Sequence, residues 1–139
     1  MSKYYLAKTD PDTFSIDDFA REKITTWDGV HNFQALNFIK RWVIDDYVLI
    51  YHSMTNPRIV GLAKVVSESI KDESDAKGIS WKADLELLEV YGPEKQITLK
   101  EVKDTNLFND FSLVKQSRLS VMECSKFFVA WLKTKNVLE

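Results

Sequence analysis

The apolar positions change period several times along the chain, and each change predicts an element. KYYLAKT, Lys3 to Thr9, reads as a short strand. TDPD follows as a turn, since Pro11 fixes φ and the flanking Asp residues favour local side-chain hydrogen bonds. Ser15, with an acid three residues on at Asp18, is placed to cap a helix over about Ile16 to Glu22. ITTWDGV then carries β-branched residues into a turn at Asp28 and Gly29 that presents Trp27 to solvent. Asn32 can cap a second helix, with Leu36, Ile39 and Val43 at helical spacing and Phe38 and Trp42 as a second apolar stripe. Gln34, Asn37 and Arg41 share its remaining side.

Past Asp45 and Asp46 the period changes. YVLIYHS is an unbroken apolar run of strand length, which predicts a strand buried on both faces. TNPR turns the chain into RIVGLAKVV, a second strand whose internal Gly61 predicts a bulge or a close backbone approach. After the polar loop KDESDAKG, Trp81, Ala83, Leu85 and Leu87 alternate with Lys82, Asp84 and Glu86 in a half-exposed strand. Thr98 is placed to cap a short helix over about Leu99 to Lys103. RLSVM reads as a last strand, and Ser125 opens an amphipathic helix through Phe128, Trp131 and Leu132. Strands that adjoin without long crossover helices predict α+β architecture, a small, mostly antiparallel barrel with flanking helices.

The bulk properties narrow the class. With 45% hydrophobic and 29% charged residues, 139 residues suit one globular domain, residues 1–139. No signal-peptide core or run of about 18 apolar residues is present, so a soluble cytoplasmic protein is expected, or a nuclear one in a eukaryote, with no membrane partner. Cys124 is the lone cysteine, and with two histidines, His31 and His52, no metal-ligand spacing arises; neither metal nor cofactor is expected. A net charge of -2 gives no general attraction to nucleic acid, but its distribution is uneven. Residues 67 to 94 hold three lysines against eight acids, whereas 111 to 139 hold five basic residues against two acids, which predicts one basic surface.

Catalytic patterns are sparse. His52 and Ser53 adjoin, but neighbours in a strand point to opposite faces and do not form a base and nucleophile pair. His52 reads as a core histidine, Cys124 as a buried thiol, and the acidic pairs Asp17-Asp18 and Asp45-Asp46 as helix-boundary residues. No phosphate-binding glycine loop or zinc-deaminase pattern is present. Binding chemistry fares better: Trp27 offers a π-face, and the amides of Asn32, Gln34 and Asn37 can each donate and accept, which suits a nucleobase edge.

Five strings in order resemble the EVE domain family of the wider PUA-like group. They are KTDPDTFSIDD, similar to K-S-E-P-x-x-[YF]-S-x-x-D, then WDGVHNFQALN, YVLIYHS, IVGLAKVV and RLSVM. The resemblance covers nearly the whole chain. It implies a PUA-like β-barrel whose pocket accepts a modified base, chiefly modified cytosine (5-methylcytosine or 5-hydroxymethylcytosine) in DNA, by base flipping. Readers of methylated adenine in RNA are distant relatives, which leaves DNA or RNA as the partner. By matching position, Trp27 would be the stacking wall, and Lys8, Thr9, Asp10, Asn32, Tyr51, His52 and Ser53 would lie in or around the pocket. Arg118 and Ser120 would complete the rim or meet phosphate. His31 and Leu36 stand where the family pattern has arginine, and each replacement removes a five-donor cation suited to phosphate. A protonated His31 would partly substitute. The expected function is a non-catalytic reader. The alternatives are a sensor of a modified nucleoside or metabolite, or an enzyme using His52 or Asp10 as general acid or base.

Overall fold

A computed structural model describes residues 2–139. Among these described residues, eight strands and five helices run in the order β1 (Tyr4–Thr9), α1 (Ile16–Glu22), β2 (Ile24–Trp27), α2 (Phe33–Arg41), β3 (Tyr47–His52), β4 (Arg58–Val65), β5 (Ile70–Lys71), β6 (Trp81–Val90), β7 (Ile97–Thr98), α3 (Leu99–Asp104), α4 (Ser112–Lys115), β8 (Val121–Glu123) and α5 (Lys126–Thr134). The main path of the sheet is β2-β6-β4-β3-β1-β8, with β5 on β6 and β7 on β4. Every pair is antiparallel except β1 with β3. The fold is therefore mostly-sheet α+β, as its periodicity predicts.

The buried run of β3 explains why it sits mid-sheet: Val48 to His52 are all buried, between β4 and β1. Gly61 answers the question its position raises in both expected ways. The pairing of β3 with β4 shifts register next to it, and a Cβ at Gly61 would lie 2.8 Å from both the Glu89 carbonyl oxygen and Ile16 Cδ1. β4 thereby packs closely on α1.

Local chemistry sets the helix starts. Ser15 and Asp18 form a reciprocal capping box: Ser15 Oγ accepts from the Asp18 amide at 3.1 Å and Asp18 Oδ2 from the Ser15 amide at 2.9 Å. Asn32, Thr98 and Ser125 cap α2, α3 and α5. The second helix is shorter than its pattern suggests. It stops at Arg41 with Trp42 as C-cap, so Val43 lies outside it and is 60% exposed. The cause is Asp46, 1% exposed, whose carboxylate accepts from the Val43 and Lys3 amides and turns the chain toward β3. The last strand also starts later than expected, at Val121, leaving Arg118 to Ser120 in the preceding loop. Short β5, β7 and α4 carry no periodic signal in the sequence.

Candidate functional site

The two ends of the sheet path, β2 and the approach to β8, come together across a cavity of about 650 Å³. Thr25, Thr26 and Trp27 of β2 form one wall; Lys8 and Thr9 of β1, with Asp10 and Ser120, form the opposite one. The Asp28–Asn32 loop and Phe14 fill the remaining sides. Its volume is within the roughly 300–1,000 Å³ usual for small-ligand sites.

Trp27 is not on an exposed turn. It ends β2, paired opposite Ala83, and is only 8% exposed, with its ring edge-to-face with Phe14 at 6.4 Å. The indole is at once part of the core and a wall of the cavity. Phe14 is held in turn by a pre-ordered turn. Asp10 Oδ1 accepts from the Asp12 amide at 2.9 Å, its carbonyl accepts from the Thr13 and Phe14 amides, and Thr9 Oγ1 donates to the Phe14 carbonyl at 2.8 Å. The TDPD signal in the sequence thus organises the aromatic lining as well as a turn.

Six of the ten residues expected at the site line this cavity: Lys8, Thr9, Asp10, Trp27, Asn32 and Ser120. Their hydrogen-bonding capacity is partly committed. Asn32 Oδ1 accepts from the Ala35 amide as the α2 cap. Lys8 Nζ donates to the Ser117 carbonyl at 3.0 Å and lies 5.6 Å from the centre of the Tyr51 ring. Burial lowers the Lys8 pKa from its ordinary value.

The other four lie outside the lining. Tyr51, paired with Lys8 across β1 and β3, is 2% exposed, and burial pushes its phenol up to about 12. His52 is 8% exposed and its Nε2 accepts from the Ile16 amide at 3.0 Å, which requires the proton on Nδ1. Burial lowers its pKa, and Arg58 adds to the effect. Ser53 supports Thr9 from behind, donating to its carbonyl from the amide at 3.0 Å and from Oγ at 3.2 Å. Arg118 is exposed, with no ion pair or side-chain hydrogen bond among the described residues. Gln34 and Asn37, whose amides suggest base contacts, are exposed on α2 away from the cavity.

The two replaced arginine positions differ in kind. Leu36 is 1% exposed in the core and does not face the cavity. His31 lines it, and its Nε2 lies 2.7 Å from Asp75 Oδ1. The other Asp75 oxygen accepts from the Ile79 and Ser80 amides at 3.0 and 2.9 Å. The hydrogen bond from His31, joined by those from Ser80 and Ile79, holds the Asp75 carboxyl below the usual carboxylate range. A protonated His31 would therefore face its own counter-ion first. The cavity's remaining formal charges are Lys8 against Asp10, Glu22 and Asp28, a set that favours hydrogen-bond donors over a phosphate inside it.

Phe14, Thr25, Thr26 and Glu22 also line the cavity, although no motif in the sequence marks them as site residues. The period-2 pattern of ITTW places Thr25 and Trp27 on a common face and was the available signal for one of them. Cys124 is buried at 5% exposure, and burial raises its thiol pKa far above the ordinary value. No group of three or more metal-ligating side chains occurs among the described residues, and no helix there is long and apolar enough to cross a membrane.

The chain matches the EVE domain over residues 3–134. It is 41% identical over 86 residues to thymocyte nuclear protein 1 of Rattus norvegicus, an alignment that takes in 53% of this chain and only 38% of that protein. Among solved structures, a hypothetical protein from Leishmania major superposes with a TM-score of 0.87 at 30% identity, covering 98% of this chain and 96% of that one. Human THYN1 protein in complex with DNA containing 5-methylcytosine superposes with a TM-score of 0.85 at 23% identity, covering 99% and 100% of the two chains.

Proposed function

Because the chain belongs to the EVE domain family, we propose that it is a non-catalytic reader of a modified nucleobase, most directly a modified cytosine in DNA. The base leaves its stack, enters the cavity between β2 and β1 and stacks on Trp27. The observation that carries this reading is the cavity: an indole wall, a second aromatic at its edge and polar groups from Thr9, Asp10, Asn32 and Ser120 around it. That is the combination a flat heterocycle with hydrogen-bonding edges requires. The human relative bound to 5-methylcytosine-containing DNA supports it. Extruding a base costs a few kcal/mol, which stacking of about 1–3 kcal/mol and edge hydrogen bonds must offset.

A non-catalytic role accords with how the candidate acids and bases are committed. His52 holds the start of α1 through its Nε2, and Asp10 organises its own turn. With a DNA partner, the protein's place is the nucleus in a eukaryote and the cytoplasm in a bacterium.

The test is a fluorescence-polarisation titration with labelled DNA and RNA oligonucleotides carrying plain, methylated or hydroxymethylated cytosine, or methylated adenine. Preference for one modified form establishes the reader and names its mark. Equal, weak binding to all of them sinks it. A free modified nucleoside binding as tightly as the same base in a strand would instead identify a small-molecule sensor. That outcome gains weight from the acidic lining and the engaged Lys8.

A further inference from the structure

The cavity loop is tied to a segment 44 residues away by one contact, His31 Nε2 to Asp75 Oδ1 at 2.7 Å. Asp75 belongs to the loop between β5 and β6, which is organised without reference to the cavity. Asp72 Oδ1 accepts from the Ser74 amide and hydroxyl, the Asp72 amide donates to the Ser80 carbonyl, and the Gly78 amide to the Asp75 carbonyl. Within that frame the Asp75 side chain is 7% exposed and one of its oxygens is filled by two backbone amides. The second oxygen is left aimed at His31. A carboxylate in this setting only accepts, so the imidazole must donate from Nε2. The remaining ring nitrogen, Nδ1, has no partner among the described residues, and His31 lines the cavity.

We propose that Asp75 is a positioning residue for this site: it fixes the His31 proton on Nε2 and so leaves Nδ1 as an acceptor for a ligand N–H, such as an exocyclic amino group. The inference rests on the modified-base reading for the identity of the ligand, but not for the tautomer. The second imidazole of the chain, bound to a backbone amide, gives an internal reference. His52 accepts at Nε2 from the Ile16 amide and must carry its proton on Nδ1, so the two histidines hold opposite tautomers. A fixed tautomer determines which way a hydrogen bond runs, and a site built for a donor disfavours a ligand that offers an acceptor at the same point.

Long-range proton–nitrogen correlation spectra of the full ¹⁵N-labelled chain at pH 8.5 read both rings directly. The expected result is Nε2–H for His31 and Nδ1–H for His52. A His31 ring protonated on Nδ1, alone or together with Nε2, overturns the proposal. Asp75→Ala should relax His31 from a single Nε2–H form to the tautomer mixture of a free imidazole, in which Nε2–H still predominates, while leaving His52 on Nδ1–H. It should also weaken binding of a 5-methylcytosine oligonucleotide about tenfold, the scale of one lost hydrogen bond. A His31 ring that stays wholly Nε2–H in that variant, with no Nδ1–H form, overturns the positioning role. Saturating the wild-type chain with the same oligonucleotide should move the His31 Nδ1 resonance. Binding without that movement overturns the ligand contact and leaves the reader intact. Absence of all binding removes the reader reading, while the tautomers of the free protein still decide what Asp75 does.

Discussion

Trp27 carries two duties that one substitution can separate. At 8% exposure it packs in the core against Phe14, so truncation to alanine would cost about 3–5 kcal/mol of stability as well as any stacking. Trp27→Leu keeps an apolar group in the space and removes the π-face. It is expected to lower the preference for a modified over a plain oligonucleotide to near one, with the far-ultraviolet circular dichroism unchanged; a preserved preference would mean that the base stacks elsewhere. His52 makes a stability prediction. Its folded-state pKa is depressed, so the native state disfavours its charged form. The unfolded chain therefore binds more protons below about 6.5, and stability present above that pH is lost as pH falls through the lower, folded value. Urea midpoints measured from pH 8 to pH 5 should fall for the wild type. They should stay flatter for His52→Gln, whose amide oxygen can still accept from Ile16.

The elements were legible in the sequence where a short-range rule acts. The capping box at Ser15 and Asp18, the doubly buried β3 and the bulge beside Gly61 all follow from neighbouring residues. What escaped depends on distant contacts. Trp27 loses its solvent exposure because β2 pairs with β6 and Phe14 folds against it, and His31 loses its freedom to Asp75, 44 residues on. Val43 follows the helical period, yet the Asp46 carboxylate claims its amide and ends the helix. Gly61→Ala is the sharpest element-scale test. The added Cβ would press on the Glu89 carbonyl, which belongs to β6 and cannot swing aside as a side chain can. We expect a loss of about 1–3 kcal/mol in urea unfolding, whereas a neutral substitution would show that β4 and β6 separate easily.

Over the whole molecule, the sheet brings its two ends to one cavity and the charge pattern surrounds it unevenly. The lining is acidic on balance, and Lys8 is occupied by the Ser117 carbonyl and the Tyr51 ring. Arg118 is different: it is exposed, unpaired among the described residues, and two positions from the lining residue Ser120. On the proposed reading, phosphate contact would fall to the surroundings of the cavity and not to its interior. Arg118→Ala should weaken oligonucleotide binding and reduce the slope of log K against log salt by about one, while Lys8→Ala changes that slope less. Equal slopes for wild type and Arg118→Ala would remove Arg118 from the backbone contact. The family motifs were legible because they are contiguous, whereas the division between lining, support and rim arises only when β1, β2 and the approach to β8 meet. Ser53 illustrates it, adjacent in motif to His52 yet serving to hold the Thr9 carbonyl.

On the proposed reading, the modified base itself lies against the indole. The most direct measurement is the methyl resonance of a single ¹³C-methyl-labelled 5-methylcytosine in an oligonucleotide saturated with protein. Stacked on Trp27, the methyl should shift upfield through the ring current, and the shift should vanish in a saturated Trp27→Leu complex. A methyl resonance that stays at its free-strand position in the wild-type complex would place the base outside the cavity and rule out stacking on Trp27.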